Sequence, residues 1–366
     1  MPSPLGFDER CVIIGAGAAG LCAAWAAREA GLTPLLLERE RGALGAWALM
    51  ADTVRCLSPR QFDLMPDGDF PRGSGARATA PEVAALLARF QRRWRFRLQS
   101  AAAVEHVERQ SSRGFRLQTS VGTLTTERLV VATGEFGVPR WPDVTGAFSG
   151  TYEHFRNFHI RTVRPGERVA VFGAGNSGSD VAMQLLAAGA AVVLSAPRPP
   201  ERPSPPLPQI LRGLLHRVAG LPIAHLPGRG GCTDSTPVVD PALFDAIAAG
   251  LITLVPRATR LTTAGFVDGS GLEWSVDRIV ACTGFRRETA FLRGVVPLDS
   301  SSGRPDRDAR SGRPRQDVQA GLVAGVPGLA FMGLPCMRTR QSGFLRGFAS
   351  DGRAVIGGIL GARSLP

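Results

Sequence analysis

Apolar positions in this chain come as short unbroken runs, and glycine follows the strongest of them. Val12-Ile13-Ile14 runs straight into Gly15, Gly17 and Gly20. An alanine-rich stretch to Ala30 predicts a helix, Gly31 ends it, and Pro34–Leu37 predicts a second strand closing at Glu38. Strand, glycine turn, helix and strand in that order make a βαβ unit. The same order returns at Arg168–Phe172, with Gly173, Gly175 and Gly178, a helix through Leu186 and a strand over Ala191–Leu194. Two such units far apart predict two nucleotide-binding domains.

Between them, Pro81–Trp94 has helical amphipathic spacing opened by Thr79. Phe115–Thr126 predicts a hairpin turning at Val121-Gly122, and Leu129–Ala132 a buried strand ending at Thr133-Gly134. A similar phrase, Arg278–Ala281 with Cys282, Thr283 and Gly284, closes the second unit. Arg198–Pro237 is proline-rich and reads as an irregular excursion on the substrate side, with one short helix around Ile210–Val218. Ser300–Gln316 reads as a solvated loop, Gly328–Met332 as a strand and Ser342–Leu360 as a long helix. The predicted fold is α/β, with two Rossmann-like dinucleotide-binding domains, one inserted into the other. The first is expected over residues 1–161 and 279–366, the second over 162–278.

Composition narrows the function classes. The chain has 366 residues, 44% hydrophobic and 20% charged, which excludes a disordered protein or a disulfide miniprotein. Its formal net charge is +12, and every one of the 43 basic residues is arginine. A nucleic-acid-binding protein is the remote alternative this raises, but the arginines are scattered rather than gathered into a block. Cys11, Cys22, Cys56, Cys232, Cys282 and Cys336 include no pair with two residues between them, which removes a CxxC dithiol, a zinc ribbon and a c-type haem site. His106, His154, His159, His216 and His225 show no metal-ligand spacing, so no metal is expected. The first apolar run follows Asp8-Glu9 and is too short to span a bilayer, so a cytoplasmic protein without membrane partners is expected.

The glycine motifs carry the first chemistry. Gly15 allows the tight turn, Gly17 lets a pyrophosphate approach the backbone, and Gly20 lets helix and strand pack closely. The helix N-terminus offers free N–H groups to the phosphates. Glu38 lies 18 residues after Gly20, where a carboxylate accepts ribose hydroxyls, as FAD or NAD requires. In the second unit Leu194 is followed by Ser195 and Arg198 with no acid between, which fits the 2′-phosphate of NADPH. One acid-ended and one arginine-ended site together describe an FAD enzyme reduced by NADPH.

Phe148, Gly150, His154 and Phe158 are spaced as in the identifying sequence of flavin-containing monooxygenases, F-x-G-x-x-x-H-x-x-x-[FY]. The resemblance covers nearly the whole chain. Leu44–Trp47 is similar to the family's GGxW segment, and Cys56–Pro59 through Phe70-Pro71 to its TP…LP…FP stretch. Val131–Glu135 and Ala281–Phe285 resemble its two ATG phrases, and Thr339–Ser342 its C-terminal flavin contact.

The resemblance implies that NADPH reduces FAD and that reduced flavin and O2 form a C4a-(hydro)peroxyflavin. One oxygen atom then passes to a small organic substrate. It implies FAD contacts at Gly15, Gly17, Ala18, Gly20, Glu38, Arg39, Trp47, Val104, Ala132, Thr133 and Gly134. NADPH contacts are implied at Gly173, Gly175, Asn176, Ser177, Gly178, Ser195, Arg198, Thr283 and Gly284. Ser58, Gln61, Gln341 and Ser342 are the flavin-proximal candidates, with the final helix directing its positive end toward the flavin or simply capped by Ser342. The flavin carries the chemistry, so no side-chain triad is expected, and His154 reads as a satisfied histidine orienting a linker. Leu57–Arg60 lacks the asparagine of the animal-type enzymes, and the Ser195–Arg198 spacing is one residue longer than S-x-R. The signature ends in Phe158 rather than Trp, which favours heteroatom oxygenation, and the expected reaction is N- or S-oxygenation or hydroxylation. Baeyer–Villiger oxygenation and oxidative decarboxylation are the alternatives on the same flavin, and a homo-oligomer is compatible with the sequence.

Overall fold

Val12–Ile14 forms β1, buried at all three positions, as an apolar triplet covered on both faces must be. This computed structural model describes residues 8–42, 44–51, 54–63, 65–66, 77–110, 114–200, 240–297 and 318–361, with backbone only at 61, 318 and 319. Cys232, Phe70-Pro71, most of Arg198–Pro237 with its expected short helix, and Ser300–Gln316 lie outside the described residues.

After β1 come helix α1 (Ala18–Glu29), strand β2 (Leu35–Leu37), helix α2 (Ala80–Trp94) and strand β3 (Arg97–Gln99). Thr79 caps α2 through a capping box, in which Glu82 accepts from the Thr79 backbone N–H at 2.8 Å. Strands β4 (Val104–Arg109), β5 (Phe115–Thr119) and β6 (Gly122–Thr126) form an antiparallel three-stranded sheet, and β7 (Leu129–Val131) returns to β1. The chain then crosses through β8 (Val138–Pro139) to β9 (Thr151–His154).

The second unit repeats this grammar. Strand β10 (Arg168–Phe172), helix α3 (Asn176–Ala187), strand β11 (Ala191–Ala196), helix α4 (Ala242–Ala248) and strand β12 (Ile252–Pro256) lead to an antiparallel set. That set is β13 (Ala258–Thr262), β14 (Gly265–Asp268) and β15 (Glu273–Ser275), after which β16 (Arg278–Ala281) pairs with β10. The return crossing, β17 (Phe285–Arg286), pairs antiparallel with β8. Strands β18 (Val318–Gln319), β19 (Leu322–Val323) and β20 (Leu329–Phe331) and helix α5 (Leu345–Gly361) complete the chain.

The two large sheets share one plan. The first is ordered β18-β19-β20-β7-β1-β2-β3 and the second β12-β11-β10-β16-β9. Each holds five parallel strands with the fingerprint strand in the middle. The expected domain limits at 161/162 and 278/279 cut across the second sheet, because β9 and β16 both pair within it. β9, Thr-Tyr-Glu-His, carries no apolar run, so its composition does not mark it as a strand of that sheet.

Helix α5 packs on α1 through small residues. A Cβ at Gly352 would stand 2.9 Å from the Cys22 carbonyl oxygen, so glycine sets how close the helices lie. Arg353 closes the contact, 3.0 Å from Glu29 and over the Trp25 ring. In the second unit, buried Arg278 donates to Glu167 at 2.8 Å and also to Glu153 and the Thr162 carbonyl, joining β9, β10's approach and β16. No helix among the described residues is long and apolar enough to cross a membrane.

Candidate active site

The two glycine turns are near copies. Gly15 has φ 100° and Gly173 φ 108°, both in the left-handed region that favours glycine. A Cβ at either would stand 2.5 Å from a carbonyl oxygen, that of Ala132 or of Cys282. Those carbonyls belong to the two ATG-like phrases, which therefore serve as the backbone floor under each turn. At Gly20 and Gly178 a Cβ would fall 1.9 and 1.8 Å from the carbonyl oxygens of Gly15 and Gly173. Each turn leads into the N-terminus of a helix, α1 or α3, where unfilled N–H groups and the dipole favour phosphate.

Around the first turn lies a cavity of about 880 Å³, within the usual range for a cofactor site. Its wall includes Gly15, Gly17, Ala18, Glu38, Arg39, Trp47, Val104, Ala132, Thr133 and Gly134, so most of the expected FAD contacts meet there. Gly20 is off the wall, behind the turn it permits. Glu38 is 5% exposed and its two oxygens accept from the Ala16 and Glu40 N–H groups at 3.0 and 3.1 Å. Those bonds hold the carboxylate at the strand end, where a ribose would lie. Gly45 presses on Gly17, and a Cβ there would be 2.6 Å from the Gly17 Cα. These residues fit FAD.

Ser58 is on the same wall, together with an acid that sequence reasoning missed. The Ser58 hydroxyl donates to Asp63 Oδ1 at 2.5 Å, and Asp63, 1% exposed, also lines the cavity. Arg346, stacked over Phe344, approaches the same carboxylate at 4.0 Å. Burial raises the Asp63 carboxyl above the ordinary carboxylate range, opposed by the Ser58 hydrogen bond and by Arg346. Burial likewise pushes the neighbouring Cys56 thiol up to about 12, which keeps it protonated. Asp63 comes back to Ser58 only because Arg60–Phe62 form a tight turn, and no periodicity in the sequence marks that return. Gln61 belongs to the turn, and its side chain is outside the described set.

Ser342 is on the wall and buried, but it is not a helix cap. Helix α5 starts three residues later at Leu345, and the Ser342 hydroxyl instead accepts from the Arg338 and Thr339 N–H groups. The helix's approach, Gly343–Leu345, borders the cavity, while Gln341 is off the wall.

From the second unit Asn176 and Ser177, the first residues of α3, reach the same cavity. Gly173, Gly175, Gly178, Thr283 and Gly284 stay at the carboxyl edge of their own sheet, off the cavity wall. The Thr283 hydroxyl is bonded to the Arg140 carbonyl, and Gly284 O accepts from His154 Nε2 at 3.1 Å. His154 Nδ1 accepts from the Arg156 N–H, so the ring is neutral and both nitrogens are satisfied; burial lowers its pKa. It ties β9 to the second ATG-like phrase, as a linker histidine should.

Ser195 differs from expectation. Its hydroxyl is buried, donating to the Pro256 carbonyl at 3.1 Å and accepting from the Ala258 N–H at 2.8 Å. It is therefore not presented to a coenzyme. Backbone register explains why: Gly15 N–H meets Leu37 O, and Gly173 N–H meets Ser195 O. Ser195 thus occupies the place of Leu37, pointing inward, and Ala196 the place of Glu38. Arg198 is exposed just beyond the strand.

Residues 12–210, more than half of the chain, match the family described as pyridine nucleotide-disulphide oxidoreductase. Indole-3-pyruvate monooxygenase YUCCA6 of Arabidopsis thaliana is 33% identical over 189 residues, covering 49% of this chain and 45% of that relative. Rice indole-3-pyruvate monooxygenase YUCCA1 is 28% identical over 313 residues, covering 75% and 76%. The flavin-containing monooxygenase of Stenotrophomonas maltophilia superposes with a TM-score of 0.76 over 97% of this chain and 99% of that one, at 22% identity. The chain therefore belongs to the pyridine nucleotide-disulphide oxidoreductase family, is similar to flavin-containing monooxygenases in sequence and fold, and has FAD and NADPH as its cofactors.

Proposed function

We propose that the protein uses NADPH and O2 to place one oxygen atom on a small organic molecule by N- or S-oxygenation or hydroxylation. The observation that carries this reading is a cavity into which both units open. Ten expected FAD contacts of the first unit share its wall with Asn176 and Ser177 of the second. Bound flavin would supply the redox and oxygen chemistry; the chain's residues bind, orient and keep water out. The Gly15–Gly20 turn and α1 hold the pyrophosphate, and Glu38 holds the ribose. Trp47, Leu49, Met50, Phe136, Phe344 and Phe348 give the cavity an apolar lining that disfavours water. The start of α5 offers unfilled N–H groups to negative charge at the wall.

A second reading, an α-keto acid substrate losing its carboxyl group, is favoured by the relatives named for indole-3-pyruvate. Arg55 and Arg340 on the cavity wall supply positive charge for such an anion. The test is a panel of amines, sulfides, ketones and α-keto acids, scored by the rise in NADPH oxidation over the substrate-free rate, with product mass under isotopically labelled O2. One labelled oxygen in the product is expected. Protein that cannot be reconstituted with FAD, or NADPH oxidation that no compound accelerates, would remove the proposal.

A further inference from the structure

Arg257 stands at the carboxyl edge of the second sheet. β11 and β12 run parallel with Ala196 opposite Pro256, so Arg257 leaves the sheet beside Pro197 and Arg198. This is the carboxyl edge, where the Gly173 turn meets the Ser195 carbonyl. Ligands of open α/β sheets sit outside that edge.

The first unit shows what the position does. Leu37 lies opposite Gln99, and Ser195, its counterpart, opposite Val255. Counting on from these pairs, Arg257 corresponds to Ala101, one residue before Ala102–Val104, which line the FAD cavity. Arg257 thus stands where the first unit's chain turns to meet its own nucleotide.

Two further observations point to an anion there. The Ser195 hydroxyl grips the backbone on both sides of Arg257, at Pro256 O and Ala258 N, so that turn is fixed before any ligand arrives. Arg257 and Arg198 are both exposed, and among the described residues neither has an ion-pair or hydrogen-bond partner. Arg168 and Arg278, in the same unit, are fully engaged with carboxylates. Two like charges at neighbouring strand ends repel, and a dianion between them removes that repulsion. No carboxylate at Ala196 opposes it.

We infer that Arg257 and Arg198 together hold the 2′-phosphate of the coenzyme, with Ser195 as the positioning residue for Arg257. This deepens the NADPH reading above and rests on it. Guanidinium–phosphate hydrogen bonds are charge-assisted and among the stronger ones in proteins. The 2′-phosphate contact then depends on two strands rather than one.

The test needs no turnover. FAD-loaded protein is titrated calorimetrically with NADP+, NAD+, adenosine 2′,5′-bisphosphate and ADP. Arg257→Gln is expected to weaken NADP+ and the 2′,5′-bisphosphate about tenfold or more, and to leave NAD+ and ADP within about twofold. Arg198→Gln/Arg257→Gln should bind the 2′-phosphorylated and plain nucleotides equally. Arg257→Lys should restore part of the preference, and Ser195→Ala should lose about threefold on the phosphorylated pair alone. Flavin content checks that each variant is folded. An Arg257→Gln protein that holds FAD and keeps the full preference for NADP+ overturns the inference while leaving the NADPH reading intact. A native protein with no preference between NADP+ and NAD+ overturns both.

Discussion

The two nucleotide units are built alike up to one residue and then diverge. Both have a left-handed glycine over a carbonyl floor, and both have a third glycine with no room for a Cβ. Each has five parallel strands and an antiparallel three-stranded insertion before the fourth strand of the βαβ order. They differ at Glu38 against Ala196, and the next strand end gives Ala101 against Arg257. Steric demands of a pyrophosphate fix the shared framework. The ribose substituent fixes the rest, with a buried carboxylate for free hydroxyls and exposed guanidiniums for a phosphate. A shared turn therefore says that a dinucleotide binds, and the strand end says which one.

The largest effects should come from breaking the common glycine turn in each unit separately. Gly15→Ala forces a Cβ against the Ala132 carbonyl at a φ that alanine rarely adopts, and it should give colourless protein. Gly173→Ala, the matching lesion, should keep FAD and lose NADP+ binding; the flavin spectrum and a coenzyme titration read the two. Next is Arg278→Ala, which strands Glu167 and Glu153 and should destabilise by about 3–5 kcal/mol in urea melts.

Ala196→Glu would give the second unit the acid of the first. It should lower NADP+ affinity at least tenfold while sparing NAD+, because a carboxylate repels the 2′-phosphate. The smallest effect concerns Glu82, whose hydrogen bonds with Arg60 and Thr79 hold its pKa at about 2, below the ordinary 4.5. The stability it lends is fully present above pH 4.5 and is lost as pH falls toward 2. Glu82→Gln should flatten that region of an acid-unfolding profile measured by circular dichroism.

Much of this was legible in the sequence, for a physical reason. Glycine turns, the acid at Glu38 and the ATG-like phrases are local solutions to close approach, and local constraints leave local marks. The capping box at Thr79 is of the same kind. What was not legible depends on distant partners. The sequence marks Arg278–Ala281 as the close of the second unit, but it does not show that Thr151–His154 joins the same sheet, because that strand carries no apolar run. It did not show Asp63 folding back on Ser58, since one acid after a tight turn has no periodic signature. In the sequence Ser195 has the look of a coenzyme contact because it follows the strand's last apolar residue and precedes an arginine; only the register reveals that its hydroxyl faces the sheet. The last helix begins at Leu345 rather than Ser342 because the Ser342 hydroxyl is taken up by the loop before it.

The central claim is that one cavity joins the two units, so that a nucleotide held by the second reduces a flavin held by the first. Anaerobic mixing of FAD-loaded protein with one equivalent of NADPH tests it most directly. The visible flavin absorbance should be bleached stoichiometrically, and much faster than with NADH at the same concentration. Protein that holds FAD and binds NADPH but keeps its flavin oxidised would contradict the account.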